Sequence, residues 1–173
     1  MEEFDLYDHL RRPLGRTMAK GEEMPQGCRR LMVHICIFNE KGEMLIQQRQ
    51  NGKKWGNLWD VSVGGGVQAG ETTQQAARRE LMEELGLEYD FQDLSPAVTT
   101  TFRKGFDDLY IIHADPALSS IRLQPEEVQA VRWASREEIL DMLACGTFLP
   151  YHPGFMEYIF FRRDYPGYFH HRQ

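Results

Sequence analysis

Residues 65–87 read GGVQAGETTQQAARRELMEELGL, and every other segment of the chain takes its meaning from this one. Glu80, Glu83 and Glu84 fall at i, i+3 and i+4, so a helix over Thr72 to Leu85 carries their carboxylates on one face. Like charges that close repel. Arg79 beside them, with a glycine-rich turn ahead, suggests that a hard cation offsets the repulsion. A solvated acidic face is the simpler reading of the same triplet, and these residues alone leave both open. The helix itself is well marked. Ala77, Leu81 and Leu85 recur at i, i+4 and i+8 as a narrow apolar stripe. Thr72 with Gln75 fits a capping box, Glu71 sits where the helix dipole favours an anion, and Gly86 suits the left-handed position after the last turn.

The spacing is more specific than the triplet. From Gly65 the chain runs through five residues to Glu71, seven more to Arg79, then Arg79-Glu80-Leu81-x-Glu83-Glu84-x-Gly86-Leu87, nine fixed positions over 23 residues. All nine match the Nudix box, so the chain resembles the Nudix hydrolases. The likeness covers about residues 30 to 150. Phe38-Asn39-Glu40-Lys41-Gly42 and Leu45-Ile46-Gln47-Gln48-Arg49 are similar to the family's hairpin and second strand. Val131-Arg132-Trp133, then Ser135-Arg136-Glu137-Glu138, are similar to its last strand and helix.

The resemblance implies an α/β fold, an α/β/α sandwich around a mixed sheet. It also implies hydrolysis of a nucleoside diphosphate linked to another moiety, X, or of a similar small diphosphate, with Mg²⁺ as the usual ion and Mn²⁺ as a substitute. Glutamates without Cys or His ligands suit Mg²⁺ better than zinc. Such ions would neutralise the diphosphate and lower the pKa of an attacking water, leaving charge stabilisation and positioning as the main catalytic work. Carried over position by position, Glu80 and Glu84 resemble the main metal ligands, Glu83 a further one, and the backbone carbonyl of Gly64 another. Arg79 resembles the arginine that orients the glutamates, and Glu80 or an acid outside the box takes the proton from water. Glu80, Glu83 and Arg79 are thus the implied catalytic set. Glu71 is read as starting the helix or supporting the ligands from behind rather than as a ligand, with Gly65 and Gly86 as structural positions of the motif. Gly64, Gly65 and Gly66 are read as a tight strand-to-helix connection. No Gly-Lys-Ser/Thr follows, which excludes a P-loop.

Outside the box, Arg49, Lys53 and Lys54 fall where the isomerase-like branch of the family faces its diphosphate, so they are candidates for phosphate binding. Solvated loop charges are the equal alternative. Trp55 and Trp59 are more simply core covers than base-stacking groups. Asp107 and Asp108 are placed in a turn after Arg103 and Lys104, where related enzymes often supply an extra acid, and Asp108 is taken as a distal metal ligand or base.

With 173 residues, 42% of them apolar, the chain suits one domain of residues 1–173 rather than two. Residues 1–29 form an extension or hairpin, 30–150 the core, and 151–173 an aromatic-rich helix and tail. A net charge of −6 argues against a broad nucleic-acid surface. Cys28, Cys36 and Cys145 form no CxxC pair, the N-terminus is acidic, and Leu31 to Phe38 is too short to cross a bilayer. A cytoplasmic protein acting on a small, nucleotide-like diphosphate, without a membrane partner, is expected.

Along the chain, strands are expected at Leu31 to Phe38, Glu43 to Arg49, Trp59 to Val63, Ala97 to Phe102, Leu109 to Ala114 around a Gly105 turn, and Val128 to Trp133. Asn51 to Asn57 is read as a polar loop. Ser135 with Glu138 caps a helix ending near Gly146. Phe155 to Arg163 is read as a helix packing on the sheet or on a second subunit, which allows a homodimer. The interleaved aromatic and basic residues up to His170, His171 and Arg172 are read as tail rather than as a single-strand binding surface.

Two rivals are weighed against hydrolysis. Isopentenyl-diphosphate isomerase shares the Asp5-Leu6-Tyr7-Asp8 approach and the Gln47-Gln48-Arg49 to Trp59 stretch, but its reaction needs a cysteine where this chain has Val63-Gly64-Gly65-Gly66. Its metal-ligating histidines fall at Gly66 and near Arg30. A catalytically idle binding module of the same fold is the other rival, and the complete glutamate set weighs against it.

Overall fold

Alternation along one strand divides the core in two. Of residues 30–38, Leu31, Val33, Ile35 and Ile37 join a cluster containing Ala76, Ala77, Leu81 and Leu85. Cys36 and Phe38 face the other way, toward Ile139, Met156, Ile159 and Phe160. Successive strand side chains point to opposite faces, so helices cover this sheet on both sides. Complete burial of a Leu or Ile contributes roughly 1.5–3 kcal/mol, and most of these side chains are fully enclosed.

This arrangement is seen in a computed structural model that describes residues 2–165 and 167. In chain order the elements are β1 (Glu3–Tyr7), β2 (Pro13–Ala19), β3 (Arg30–Phe38), β4 (Met44–Arg49), β5 (Trp59–Asp60), β6 (Val63–Gly66) and α1 (Thr73–Leu85). Then follow β7 (Val98–Phe102), β8 (Gly105–His113), β9 (Val128–Ala134), α2 (Arg136–Cys145) and α3 (Pro153–Asp164). The main sheet is mixed, with path β5-β4-β3-β8-β7, β6 added on β3 and β9 on β4. Strands β3 and β8 run parallel along their whole length, and β6 pairs antiparallel with β3. Helix α1 lies on one face, and α2 and α3 on the other. Phe160 of α3 meets Phe38 edge-on at 5.1 Å. No helix among the described residues is long and apolar enough to cross a membrane.

Helix α1 begins and ends as its local chemistry dictates. Thr72 accepts from the Gln75 amide at 3.2 Å, Gln75 accepts from the Thr72 amide at 2.8 Å, and Gly86 closes the helix at φ 64°. Ser135 and Glu138 build the same box on α2.

Four local expectations are corrected. The strand expected over Trp59 to Val63 breaks at Val61-Ser62, where the Ser62 hydroxyl bonds Ile37 N and Leu45 O. Gly64, Gly65 and Gly66 are strand, not a turn, because Met32, Val33 and His34 pair with them. The turn after β7 is tighter than a turn centred on Gly105, so Asp107 and Asp108 are strand residues of β8 that point to opposite faces. A strand start at Leu109 is likewise too late. Tyr168, Phe169, His170, His171 and Arg172 lie outside the described residues.

Candidate active site

Three consecutive residues without side chains let other groups approach β6 from both faces. A Cβ at Gly65 would lie 2.0 Å from the Glu80 carboxyl; one at Gly64 would lie 2.6 Å from the His34 ring, and one at Gly66 2.5 Å from the Phe4 ring. Gly65 thus meets α1, whereas Gly64 and Gly66 meet the opposite face and the β1–β2 hairpin.

Arg79 organises the α1 side. Its guanidinium donates to both Glu71 oxygens (2.8 and 2.9 Å), to Glu80 (2.8 Å), to Glu83 (3.2 Å) and to the Gly66 carbonyl (2.9 Å). The bonds to Glu71, then those to Glu80, raise its pKa further despite partial burial. Burial alone would raise Glu71, but the Arg79 bonds outweigh it and hold that carboxyl below its usual range. Burial raises Glu80, with Arg79 opposing.

Glu84 is the anomaly. One turn beyond Glu80, it is only 6% exposed, and its Oε2 accepts from Gln47 Nε2 at 2.9 Å. Burial pushes its pKa up to about 8, with Glu80 adding repulsion and the Gln47 bond opposing. Gln47 Oε1 is buried without a partner among the described residues. A carboxylate that deep, beside an orphaned oxygen, is a polar arrangement short of one positive group.

Glu80, Glu83 and Glu84 line one cavity of about 210 Å³ with Gly64, Gly65, Gly66 and Arg79. They do not converge. Glu83 is half-exposed, Glu80 turns to Arg79 and Glu84 to Gln47, and among the described residues no three His, Cys, Asp or Glu side chains are gathered tightly enough to hold one ion. The donor set nevertheless fits a hard divalent cation, being all oxygen, net negative and partly desolvated.

Of the candidates outside the box, none lines this cavity. Asp108, 3% exposed, is clasped by Arg11 at 2.9 and 2.5 Å and by Thr99 at 2.8 Å. Arg49 bonds Asp60 and the Lys54 carbonyl, which ties the Asn51 to Asn57 loop to the sheet. Lys54 lies over the Trp55 ring, whereas Lys53 reaches the cavity rim by pairing with Glu127. Sequence reasoning missed Gln47, Lys20, Arg30 and the His34–Asp107 pair. Gln47 had a signal, since it follows Leu45 by two residues on the same strand face. For Lys20 and Arg30, whose positions depend on the hairpin, none was present.

Residues 29–157 match the NUDIX domain family. An uncharacterized Nudix hydrolase of Listeria monocytogenes is 44% identical over 152 residues, covering 87% of this chain and 90% of that one. An isopentenyl-diphosphate Δ-isomerase of Klebsiella pneumoniae is 32% identical over 117 residues, covering 62% of each. Among solved structures, DR0079 from Deinococcus radiodurans is similar with a TM-score of 0.75 and 26% identity, covering 91% of this chain and 98% of that one. The chain belongs to the Nudix family. Within that family it stands with the hydrolases.

Proposed function

We propose that the protein hydrolyses, in a Mg²⁺-dependent reaction, the diphosphate linkage of a nucleoside diphosphate linked to another moiety X or of a similar small diphosphate. The burial of Glu84 in a cavity where glutamates outnumber basic residues, beside the unpartnered Gln47 Oε1, is the observation that carries this reading. Glu80, Glu84, Glu83 and the Gly64 carbonyl would hold the ion, which when bound supplies charge neutralisation and an acidified water. Glu80 Oε then takes the proton from the attacking water. Arg79 orients Glu80 through its 2.8 Å bond. Gln47 Nε2–H holds Glu84 in place from below.

The isomerase reading meets an obstacle in the sheet. A side chain at position 64, where a thiol would be needed, collides with His34. The decisive experiment is turnover on a panel of diphosphates with and without Mg²⁺, with products identified by mass spectrometry. Metal-dependent cleavage at a phosphorus supports the reading; double-bond migration on a prenyl diphosphate, or binding without turnover, overturns it.

Gly65 offers a sharper probe. An added methyl must displace the Glu80 carboxyl, which is the far end of a flexible side chain, so the fold has little to lose. Gly65→Ala is expected to lower kcat by about 100-fold, as misplacement by roughly 1 Å does. Its thermal midpoint should stay within a few degrees of the parent's.

A further inference from the structure

Cations without acidic partners gather at one end of the main sheet. The net charge of −6 leaves no room for a broad basic face, yet Arg12, Arg16, Arg29, Arg30, Arg103 and Lys104 each lack a salt bridge among the described residues. The topology brings them together. Arg30 opens β3 opposite Gly105, and its amide donates to the Lys104 carbonyl at 3.1 Å, so the Arg103-Lys104 turn ahead of β8 abuts it. Arg29 pairs with Tyr7 and so adjoins the β1–β2 hairpin, which carries Arg12 and Arg16; the latter donates to the Cys28 sulfur at 3.0 Å. Asp8 of that hairpin does not neutralise them, because its carboxylate accepts from the amides of Leu10 and Arg12.

Two of these guanidinium groups are held in place by rings. Arg29 lies over Phe106 at 5.3 Å and Arg30 over Phe4 at 5.1 Å. Consecutive residues of an extended chain point to opposite faces. Phe106 belongs to the core cluster under α1, whereas Arg30 lines a cavity with Met32 and His34 on the other side. The cations therefore wrap the end of the sheet instead of forming a plane. Beside them Phe102, the residue before Arg103, is 41% exposed.

We propose that this end of the sheet binds single-stranded nucleic acid, the unpaired cations following its phosphates while one base stacks on Phe102. The strand is held, not cleaved. Arginine suits the task, since its fork grips a phosphate through two bonds. Shape then selects among polyanions. An anionic bilayer is flat and meets only one side of the sheet end, and a duplex is stiff over roughly 150 bp, whereas a single strand bends around it. Inorganic polyphosphate bends as well, but it has no ring to place on Phe102.

The test is fluorescence anisotropy of a labelled single-stranded oligonucleotide of about 12 nucleotides without terminal phosphates, titrated with the full chain in EDTA between about 50 and 200 mM salt. Log affinity should fall with log salt at a slope of about −4, roughly −0.7 for each phosphate contacted. The double variant Arg103→Glu, Lys104→Glu should weaken binding at least about 10-fold at the lower salt and flatten the slope by about 1.4. Phe102→Ala should weaken it by about 5-fold or more. All three side chains are exposed, so the variants should melt as the parent does. Polyphosphate of matched length and phosphatidylserine vesicles should bind less tightly than the oligonucleotide. No binding at the lower salt, affinity unchanged in the double variant or in Phe102→Ala, or tighter capture by polyphosphate or vesicles overturns the proposal. The probe holds no diphosphate and the titration no metal, so this result and that of the turnover panel stand or fall separately.

Discussion

Glu84→Gln is expected to cut metal-dependent turnover by roughly 1,000-fold, the consequence of removing about 4 kcal/mol of charge stabilisation at the diphosphate. The same substitution should make the metal-free protein more stable at neutral pH, on the order of 2 kcal/mol. The sign follows from burial. The unfolded chain releases the Glu84 proton near 4.5 and the folded chain only near 8. Between those values folding takes up a proton, so parent stability falls as pH rises from 5 to 8. Glutamine has no such proton, and the variant lacks that part of the slope. Steady-state turnover over a Mg²⁺ titration measures the first effect; thermal unfolding with a chelator at pH 5 and pH 8 measures the second. Full activity in the variant, or parallel stability slopes, would refute the assignment of Glu84.

Arg11→Ala is expected to cost roughly 3 kcal/mol of stability, as losing one partner of a buried ion pair does. Asp108 would keep only the uncharged hydroxyls of Thr99 and Thr73, in a site where its side chain is 3% exposed. Burial raises the Asp108 pKa in the parent, but Arg11 overcomes that and holds it below its usual 3.8. The parent therefore draws stability from this carboxylate above pH 3.8, and loses it as pH falls through the lower folded value. Without Arg11 burial is opposed only by the Thr99 and Thr73 hydroxyls, so the stability that Asp108 contributes above pH 3.8 is expected to shrink. Arg11 also sits at φ 62°, a left-handed conformation that glycine adopts freely. Arg11→Gly should recover about 1 kcal/mol relative to Arg11→Ala. Denaturant melts at pH 5 and pH 8 read both effects, and a loss under 1 kcal/mol in Arg11→Ala would refute the role given to the pair.

What the chain disclosed in advance was what it encodes locally. The caps of α1, its helical run through Glu80, Glu83 and Glu84 and the buried strand over Leu31 to Phe38 depend on neighbours within a few residues, and these elements stand as read. Glycine misled twice. Gly64 to Gly66 lack the side chains that favour strands, yet pairing with Met32 to His34 extends them, a tertiary effect that overrides local preference. Gly105 looked like the centre of a turn and is the first residue of β8, which moved Asp107 and Asp108 into the sheet. The partnerships that shape the site were invisible for another reason. Gln47 meets Glu84 across 37 residues, His34 meets Asp107 across 73 and Arg11 meets Asp108 across 97, and no local pattern records such distances.

The run of bare strand residues at positions 64 to 66 also separates two evolutionary tasks. Because its alternate positions abut Glu80 on one side and His34 and Phe4 on the other, substitutions that reshape the His34 face need not disturb a single group around Glu84. Selection, natural or in the laboratory, can therefore vary Thr100, Phe102 and Phe155 on that face while the glutamate cavity is inherited whole.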